Sequence, residues 1–207
     1  MSNKKIVFIV TEGETDDLFY KKILEVLKTK TPNNRFSLYK IKYICIKGFG
    51  KFESKLNSKF KKLVKEYKRD DKNTDFFVFL CYDNDIFIGK KNPPIDPVKI
   101  EKDLKKNGAN EVFHIVANKC IEDFFLYDFE GICRYLKLKG EKKTNYKSLI
   151  GLKQLYKKAG KAYIKGSRCD ALLNQLDFEL IEEKICPQLS KFCEISGIDC
   201  SRKNKVS

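Results

Sequence analysis

The sequence predicts an α/β protein with a mostly parallel, four-stranded sheet and helices on both faces. Three observations lead to this prediction. Short continuous apolar runs recur over residues 1–130, amphipathic stretches with helical spacing separate them, and turn residues mark the junctions. A continuous apolar run is typical of a strand that is buried on both faces, and strands that alternate with helices favour parallel pairing.

Each predicted strand is followed by a predicted helix. The first helix has apolar residues at helical spacing over 18–27, and Thr11 and Glu14 have the spacing of a capping box in front of it. The second helix, over 52–67, has an apolar stripe and a lysine-rich outer face, and Asn118 is a candidate N-cap for the fourth. The predicted strands are residues 5–10 (KIVFIV), 39–46 (YKIKYICI), 76–82 (FFVFLCY) and 112–116 (VFHIV).

The alternation of strands and helices ends near residue 130, so we divide the chain into a domain at 1–130 and a basic, mainly helical extension at 131–207. A short strand is predicted in the extension at 162–164, and Pro187 is expected to break its last helix. The predicted helices of the extension are residues 149–159, 170–176 and 178–195.

The net charge of +15, from 43 basic and 28 acidic residues among 207, indicates an anionic partner. Nucleic acid is favoured over a membrane surface, and no apolar stretch is long enough to predict a transmembrane helix. An alternative is that the charge reflects codon bias, because an AT-rich genome produces many lysines, and the chain has only five arginines. In that case the lysines would form an ordinary solvated surface.

Cysteine and histidine usage argues against zinc binding. None of the eight cysteines has CxxC spacing, and the one histidine, His114, lies inside a predicted strand. Because the N-terminus has no apolar segment typical of a secretory signal, we expect a cytoplasmic protein with reduced thiols.

Two segments carry most of the positive charge. Residues 40–69 contain 11 basic and two acidic residues, and residues 134–168 contain 12 basic and one acidic residue. Backbone N–H groups of residues 48–51 could bind a phosphate, although a simple tight turn is the alternative. Tyrosines in the second segment could stack on unpaired bases or pack in the core. The predicted nucleic-acid-binding residues are Lys47, Lys51, Lys142, Lys143 and Lys147, and the tyrosines are Tyr135, Tyr146, Tyr156 and Tyr163.

Carboxylates follow three of the predicted strands. Glu12 comes after the first strand, Asp83 and Asp85 end the third, and Glu122 follows the fourth. Because the carboxyl ends of neighbouring parallel strands meet at one edge of the sheet, these side chains are expected to converge. In an extended backbone Asp83 and Asp85 would also point the same way. Grouped carboxylates repel one another without a cation and suit Mg²⁺ or Mn²⁺.

Each of these carboxylates also has a simpler interpretation. Glu12 could only favour the dipole of the following helix. Asp83 and Asp85 could only form a turn, and Glu122 could be a solvated charge on a helix. Their shared position at the ends of successive strands favours the metal site.

The order of these motifs resembles the Toprim domain. An apolar strand is followed by residues 12–15 (EGET), and after one further strand and helix an apolar strand ends in residues 83–85 (DND). Residues 117–126 resemble an Asn-Pro-Cys-Phe-Glu-x-Trp segment of small RloB-like and OLD-type Toprim nucleases of phage-defence systems. In that segment Asn118, Cys120 and Glu122 match, whereas Lys119 replaces the proline and Phe124 the tryptophan.

The resemblance covers about residues 5–129 and implies a Toprim-like fold with Mg²⁺-dependent phosphodiester cleavage. Asp83 and Asp85 would bind the metal, Glu12 would be a metal ligand or a general acid/base, and Glu122 would belong to the same catalytic set. The family also implies RNA, including tRNA, as one class of target and a separate ATPase chain as a partner. The alternative is a non-catalytic nucleic-acid-binding or regulatory module with the same fold.

Overall fold

The computed structural model describes residues 3–30, 39–48, 52–89 and 91–197. Its centre is a four-stranded sheet with the order β2-β1-β3-β4, in which all neighbouring strands are parallel. The predicted fold class is therefore confirmed. The strands are β1 (Lys5–Thr11), β2 (Tyr39–Cys45), β3 (Asp75–Asp83) and β4 (Glu111–Ala117).

Helices cover both faces of this sheet, as predicted, and the segment after residue 130 is mainly helical. On one face Phe8 packs against Phe60, with ring centroids 5.3 Å apart. On the other face Phe79 packs against Phe192 at 5.3 Å, so the predicted extension shares a core with the sheet. The helices are α1 (Glu14–Thr29), α2 (Phe52–Asp70), α3 (Pro97–Lys106), α4 (Glu122–Phe125), α5 (Phe129–Leu136), α6 (Ser148–Lys158), α7 (Asp170–Leu173) and α8 (Phe178–Ser196).

Two predicted helix caps are wrong. Thr11 is the last residue of β1, and Gly13 is the N-cap of α1, with its N–H donating to Asp16 Oδ2 at 2.9 Å. Asn118 does not cap α4. The carboxylate of Asp123 instead accepts hydrogen bonds from the backbone N–H groups of Lys119 and Cys120. In both places an acidic side chain one turn into the helix satisfies the free amides.

Two predictions for the C-terminal part also fail. Residues 162–164 form no strand; the buried Tyr163 instead holds this segment in place through the hydrogen bond from its hydroxyl to Glu122. Helix α8 continues through Pro187. Ile185 and Leu189 on either side of the proline are buried, and their packing outweighs the missing hydrogen bond.

The cysteines follow the expectation of free thiols only in part. Cys45, Cys81, Cys120, Cys133 and Cys169 are free thiols, whereas Cys193 is disulfide-bonded. Within the described ranges, no helix has the length and apolar character needed to cross a membrane.

Candidate active site

A cleft of about 540 Å³ opens at the carboxyl ends of β1, β3 and β4. Glu12 directly follows β1, Asp83 is the last residue of β3, and Glu122 is the first residue of α4. Since Thr11 pairs with Cys81 and Asp83 pairs with Ala117, the parallel register brings the three strand ends to one edge. The structure thus brings these three predicted site residues together in the lining of one cleft.

Lys165 bridges the two aspartates of the DxD motif. Its Nζ lies 2.9 Å from Asp83 Oδ2 and 2.9 Å from Asp85 Oδ2. Asp83 is buried, and its Oδ1 accepts a hydrogen bond of 2.9 Å from the backbone N–H of Ile121. Asp85 lies in a 3₁₀ turn over Asn84–Ile86, so a turn and not an extended strand brings both carboxylates to one cation.

Lys165 was not recognised as a site residue from the sequence, where it is one of many lysines in the basic segment 134–168. Contacts with α1 place its loop against the cleft. The Thr15 hydroxyl donates to the carbonyl of Ser167 at 3.0 Å, and the Cys169 thiol lies 3.9 Å from the same hydroxyl. Gly166 has a φ of 82°, a backbone conformation that favours glycine.

Asp16 is a second site residue that the sequence interpretation missed. It lies in the first turn of α1, lines the cleft and accepts the Gly13 N–H. Burial and the negative charges of Asp83 and Glu122 raise its pKa to about 7, although its backbone hydrogen bonds lower it. Its spacing of four residues from Glu12 could have indicated this position, because a side chain in the first turn of a helix can face the end of the strand that precedes it.

The acidic residues in the cleft disfavour one another's charged forms. Burial, and next the charges of Asp16 and Asp83, raise the pKa of Glu12 to about 7. Burial also raises the pKa of Asp83 to about 6, although Lys165 acts in the opposite direction. For Lys165 itself burial lowers the pKa, but the hydrogen bonds to Asp83 and Asp85 outweigh it and raise the pKa well above its ordinary value. The single ammonium of Lys165 therefore does not balance the negative charges of the cluster.

Glu122 is almost fully buried, with 1% of its surface exposed, and lines the same cleft. Its Oε1 accepts a hydrogen bond of 3.0 Å from the Tyr163 hydroxyl. Its Oε2 has no hydrogen-bond partner in the part of the chain that the structure describes. A buried carboxylate oxygen without a partner costs free energy and is a position where a ligand can bind.

The residues present fit a hard divalent cation by their chemistry. Carboxylate oxygens are the ligands that Mg²⁺ and Mn²⁺ prefer, and the raised pKa values and the unpartnered Glu122 Oε2 indicate a need for positive charge. Over residues 3–30, 39–48, 52–89 and 91–197, no three acidic, histidine or cysteine side chains are arranged to hold a metal ion. The ammonium of Lys165 lies between Asp83 and Asp85, two of the carboxylates that would hold a metal.

The predicted nucleic-acid-binding lysines lie in different places. Lys47 lines the cleft and pairs with Glu14 at 2.5 Å, while Lys51 lies outside the described residues. Lys142, Lys143 and Lys147 are exposed but do not line the cleft.

Two further interpretations of the basic segments can be compared with the structure. The N–H of Gly48 donates to the Glu12 carbonyl at 3.3 Å, so this amide already has an acceptor, and residues 49–51 are not described. Of the four tyrosines, Tyr146, Tyr156 and Tyr163 are buried and Tyr135 is half-buried.

Comparison with protein-family models, with curated proteins and with solved structures finds no match for this chain. The Toprim resemblance consequently rests on the motifs quoted above and stays a prediction. What the cleft can do is inferred from its own residues.

Proposed function

We propose that this protein is a Mg²⁺- or Mn²⁺-dependent nuclease that hydrolyses phosphodiester bonds at the cleft. The observation that supports the proposal best is the gathering of Glu12, Asp16, Asp83 and Glu122 in one cleft with raised pKa values at three of them. An arrangement of this kind is unfavourable without a cation. Residues with strongly perturbed pKa values also occur more often in functional sites than elsewhere in a protein.

Glu12, Asp83 and Asp85 would hold the metal, and Asp16 and Glu122 would complete the acidic shell. When bound, the metal supplies a Lewis acid that activates the attacking water and neutralises charge on the scissile phosphate. Without a bound cation the pKa of Glu12 is about 7; because a bound cation would lower it, Glu12 would act as a general base only where it is not itself a ligand of the ion. Lys165 can donate hydrogen bonds to a phosphate oxygen once the two aspartates have another cation.

The charge distribution supports a nucleic-acid substrate. The chain carries a net charge of +15, and Lys47 extends the positive surface to the cleft itself. The resemblance to Toprim proteins extends the proposal further. It adds RNA or tRNA as the target, a role in phage defence, a cytoplasmic location and a separate ATPase chain as partner.

Cleavage of labelled RNA and DNA in Mg²⁺, in Mn²⁺ and in EDTA tests the nuclease. We expect cleavage only with a divalent cation and its loss in Asp83→Asn and Asp85→Asn, which keep the side-chain size, with circular dichroism confirming that each variant is folded. Glu130→Gln, which neutralises an exposed carboxylate outside the cleft, is the matched control and should cleave normally. Full activity of the double aspartate variant would exclude the proposed mechanism.

One observation favours a second candidate, the non-catalytic nucleic-acid-binding module. Lys165 bridges Asp83 and Asp85, and an internal ammonium of this kind could replace the metal permanently. Titration calorimetry with Mn²⁺ separates the two functions. The nuclease must bind the ion, whereas the non-catalytic module would bind nucleic acid equally well with and without it.

A further inference from the structure

A second, smaller cleft of about 310 Å³ lies beside the proposed active site. Its volume is at the lower end of the about 300–1,000 Å³ that is typical of small-molecule sites. Tyr135, Tyr156 and Tyr163 contribute to its walls, together with Arg168. Nothing in the proposed hydrolysis uses this second cleft, although most of its lining residues belong to the basic segment 134–168.

The tyrosines form a connected aromatic wall. The ring centroids of Tyr156 and Tyr163 are 5.2 Å apart in an edge-to-face arrangement, and those of Tyr135 and Tyr156 are 6.3 Å apart. Tyr156 and Tyr163 are buried and rigid, whereas Tyr135 is half-buried and its ring is reached by the exposed Lys161 ammonium at 5.0 Å. A half-exposed ring that a lysine can reach can also be reached by the face of a nucleobase.

Arg168 adds a planar cation to the same cleft. Its side chain is 66% exposed, and its ion pair with Asp170 is made through Nε at 2.7 Å. A guanidinium of this kind can stack on a base or donate to its edge, and its charge favours the adjoining phosphate.

The loop that carries Lys165 contributes residues to both clefts. The Tyr163 ring lines the second cleft, while its hydroxyl donates to Glu122 in the first. Lys165 lines the first cleft, and Arg168, three residues later, lines the second. One nucleotide could therefore place its phosphate at the carboxylates and its base between Tyr135 and Arg168.

We propose that the second cleft binds a nucleobase, unstacked from its strand, of the nucleotide beside the scissile phosphate. This inference rests on the proposed function for the position of the phosphate, but the base site can be tested without metal and without cleavage. It assigns the specificity for unpaired nucleic acid to Tyr135 and Arg168. A base held in a duplex would have to leave its stack to enter.

The test measures binding in EDTA with short single-stranded RNA and DNA oligonucleotides that carry one fluorescent purine analogue. We expect stacking to change the fluorescence, and Tyr135→Ala and Arg168→Ala to weaken binding by about fivefold or more and to abolish the change. Tyr135→Phe keeps the ring and should behave like the unchanged protein. Arg134→Ala is the matched control. The Arg134 side chain is also 66% exposed and also pairs with an aspartate, but it does not line the cleft.

An abasic residue in place of the analogue should weaken binding to the unchanged protein but not to Arg168→Ala. Equal binding and equal fluorescence in Arg168→Ala and Arg134→Ala would overturn the base site. Since Arg168 is exposed, this outcome does not depend on how Tyr135→Ala folds. If stacking is found but no divalent cation supports cleavage, the nuclease proposal fails and the base site stands. Comparison of RNA with DNA shows whether the 2′-hydroxyl contributes.

Discussion

The ammonium of Lys165 lies 2.9 Å from Oδ2 of the buried Asp83, so the positive charge in the cleft comes from a loop far along the chain from the strand it contacts. The same ammonium also reaches Asp85. A metal bound by these aspartates would have to share them with Lys165 or displace it. This competition leads to the first of four predictions.

Replacing Lys165 with methionine should strengthen metal binding and weaken cleavage. The variant keeps the apolar stem but removes the cation that competes for Asp83 and Asp85. We expect Mn²⁺ to bind about tenfold more tightly by calorimetry, about 1.4 kcal/mol. The metal-free protein should lose about 1–3 kcal/mol of stability, less than for a fully buried pair because 36% of the Lys165 side chain is exposed. Lys153→Met, at an exposed position on α6, is the control, and unchanged Mn²⁺ affinity in Lys165→Met would show that no competition exists.

The acidic groups of the cleft should destabilise the metal-free protein increasingly as the pH rises from about 4 to about 7. Glu12 and Asp16 have folded-state pKa values of about 7, and that of Asp83 is about 6, all above their ordinary values. The folded state therefore holds protons that the unfolded chain releases, and this contribution disappears once the pH passes the folded pKa values. The contribution of these groups should lower the melting temperature in EDTA across this range, by about 2–4 °C for each kcal/mol lost.

A double variant, Glu12→Gln with Asp16→Asn, provides the control for this pH dependence. It removes two of the three titrating groups and should flatten the fall in melting temperature between pH 4 and 7. The same slope in the variant and in the unchanged protein would mean that other groups cause it. Glu14, Glu101, Glu141 and Asp170 have lowered pKa values and act in the opposite direction, so the difference between the two proteins, and not the absolute slope, tests the cleft.

Asp16 and Glu14 should differ sharply in their importance, although they are two residues apart. Asp16→Asn can still accept the Gly13 N–H, so the start of α1 should remain intact while an acidic ligand is lost. We expect metal affinity and cleavage to fall by about tenfold or more, as for the loss of groups that support a metal site. Glu14 is exposed and pairs with Lys47, so Glu14→Gln should stay within about twofold. The reverse order of effects would mean that Glu14, which also lines the cleft, supports the metal in place of Asp16.

Neutralising Lys142, Lys143 and Lys147 together should weaken nucleic-acid binding and reduce its salt dependence by up to about three units of slope. All three are exposed between α5 and α6, so fold and metal affinity should hardly change. The control is a triple variant of the equally exposed Lys61, Lys62 and Lys65 on α2, which packs on the opposite face of the sheet. Identical salt slopes for both triple variants would mean that the charge acts without a preferred face.

The strands and the convergence of Glu12, Asp83 and Glu122 could be predicted because they depend on local patterns. A continuous apolar run such as FFVFLCY is compatible with a buried strand and little else, and parallel neighbours necessarily bring their carboxyl ends to one edge. Helix ends were less predictable. At Gly13 the cap comes from an aspartate one turn later, and at Pro187 the packing of α8 on the core outweighs the local preference to end the helix.

Lys165 and Tyr163 belong to the cleft for reasons that no local pattern contains, whereas Asp16 could have been inferred from its four-residue spacing from Glu12. Lys165 reaches Asp85 across a separation of 80 residues, and nothing in its own surroundings distinguishes it from the other lysines. Its position depends on Thr15 and Tyr163, which hold its loop against α1 and Glu122 through hydrogen bonds between distant segments. Residue pattern and register along the chain thus account for the sheet edge and its acidic residues. The position of Lys165 among these acidic residues, and the second cleft with its tyrosines, depend on contacts that exist only after the C-terminal helices have packed onto the sheet.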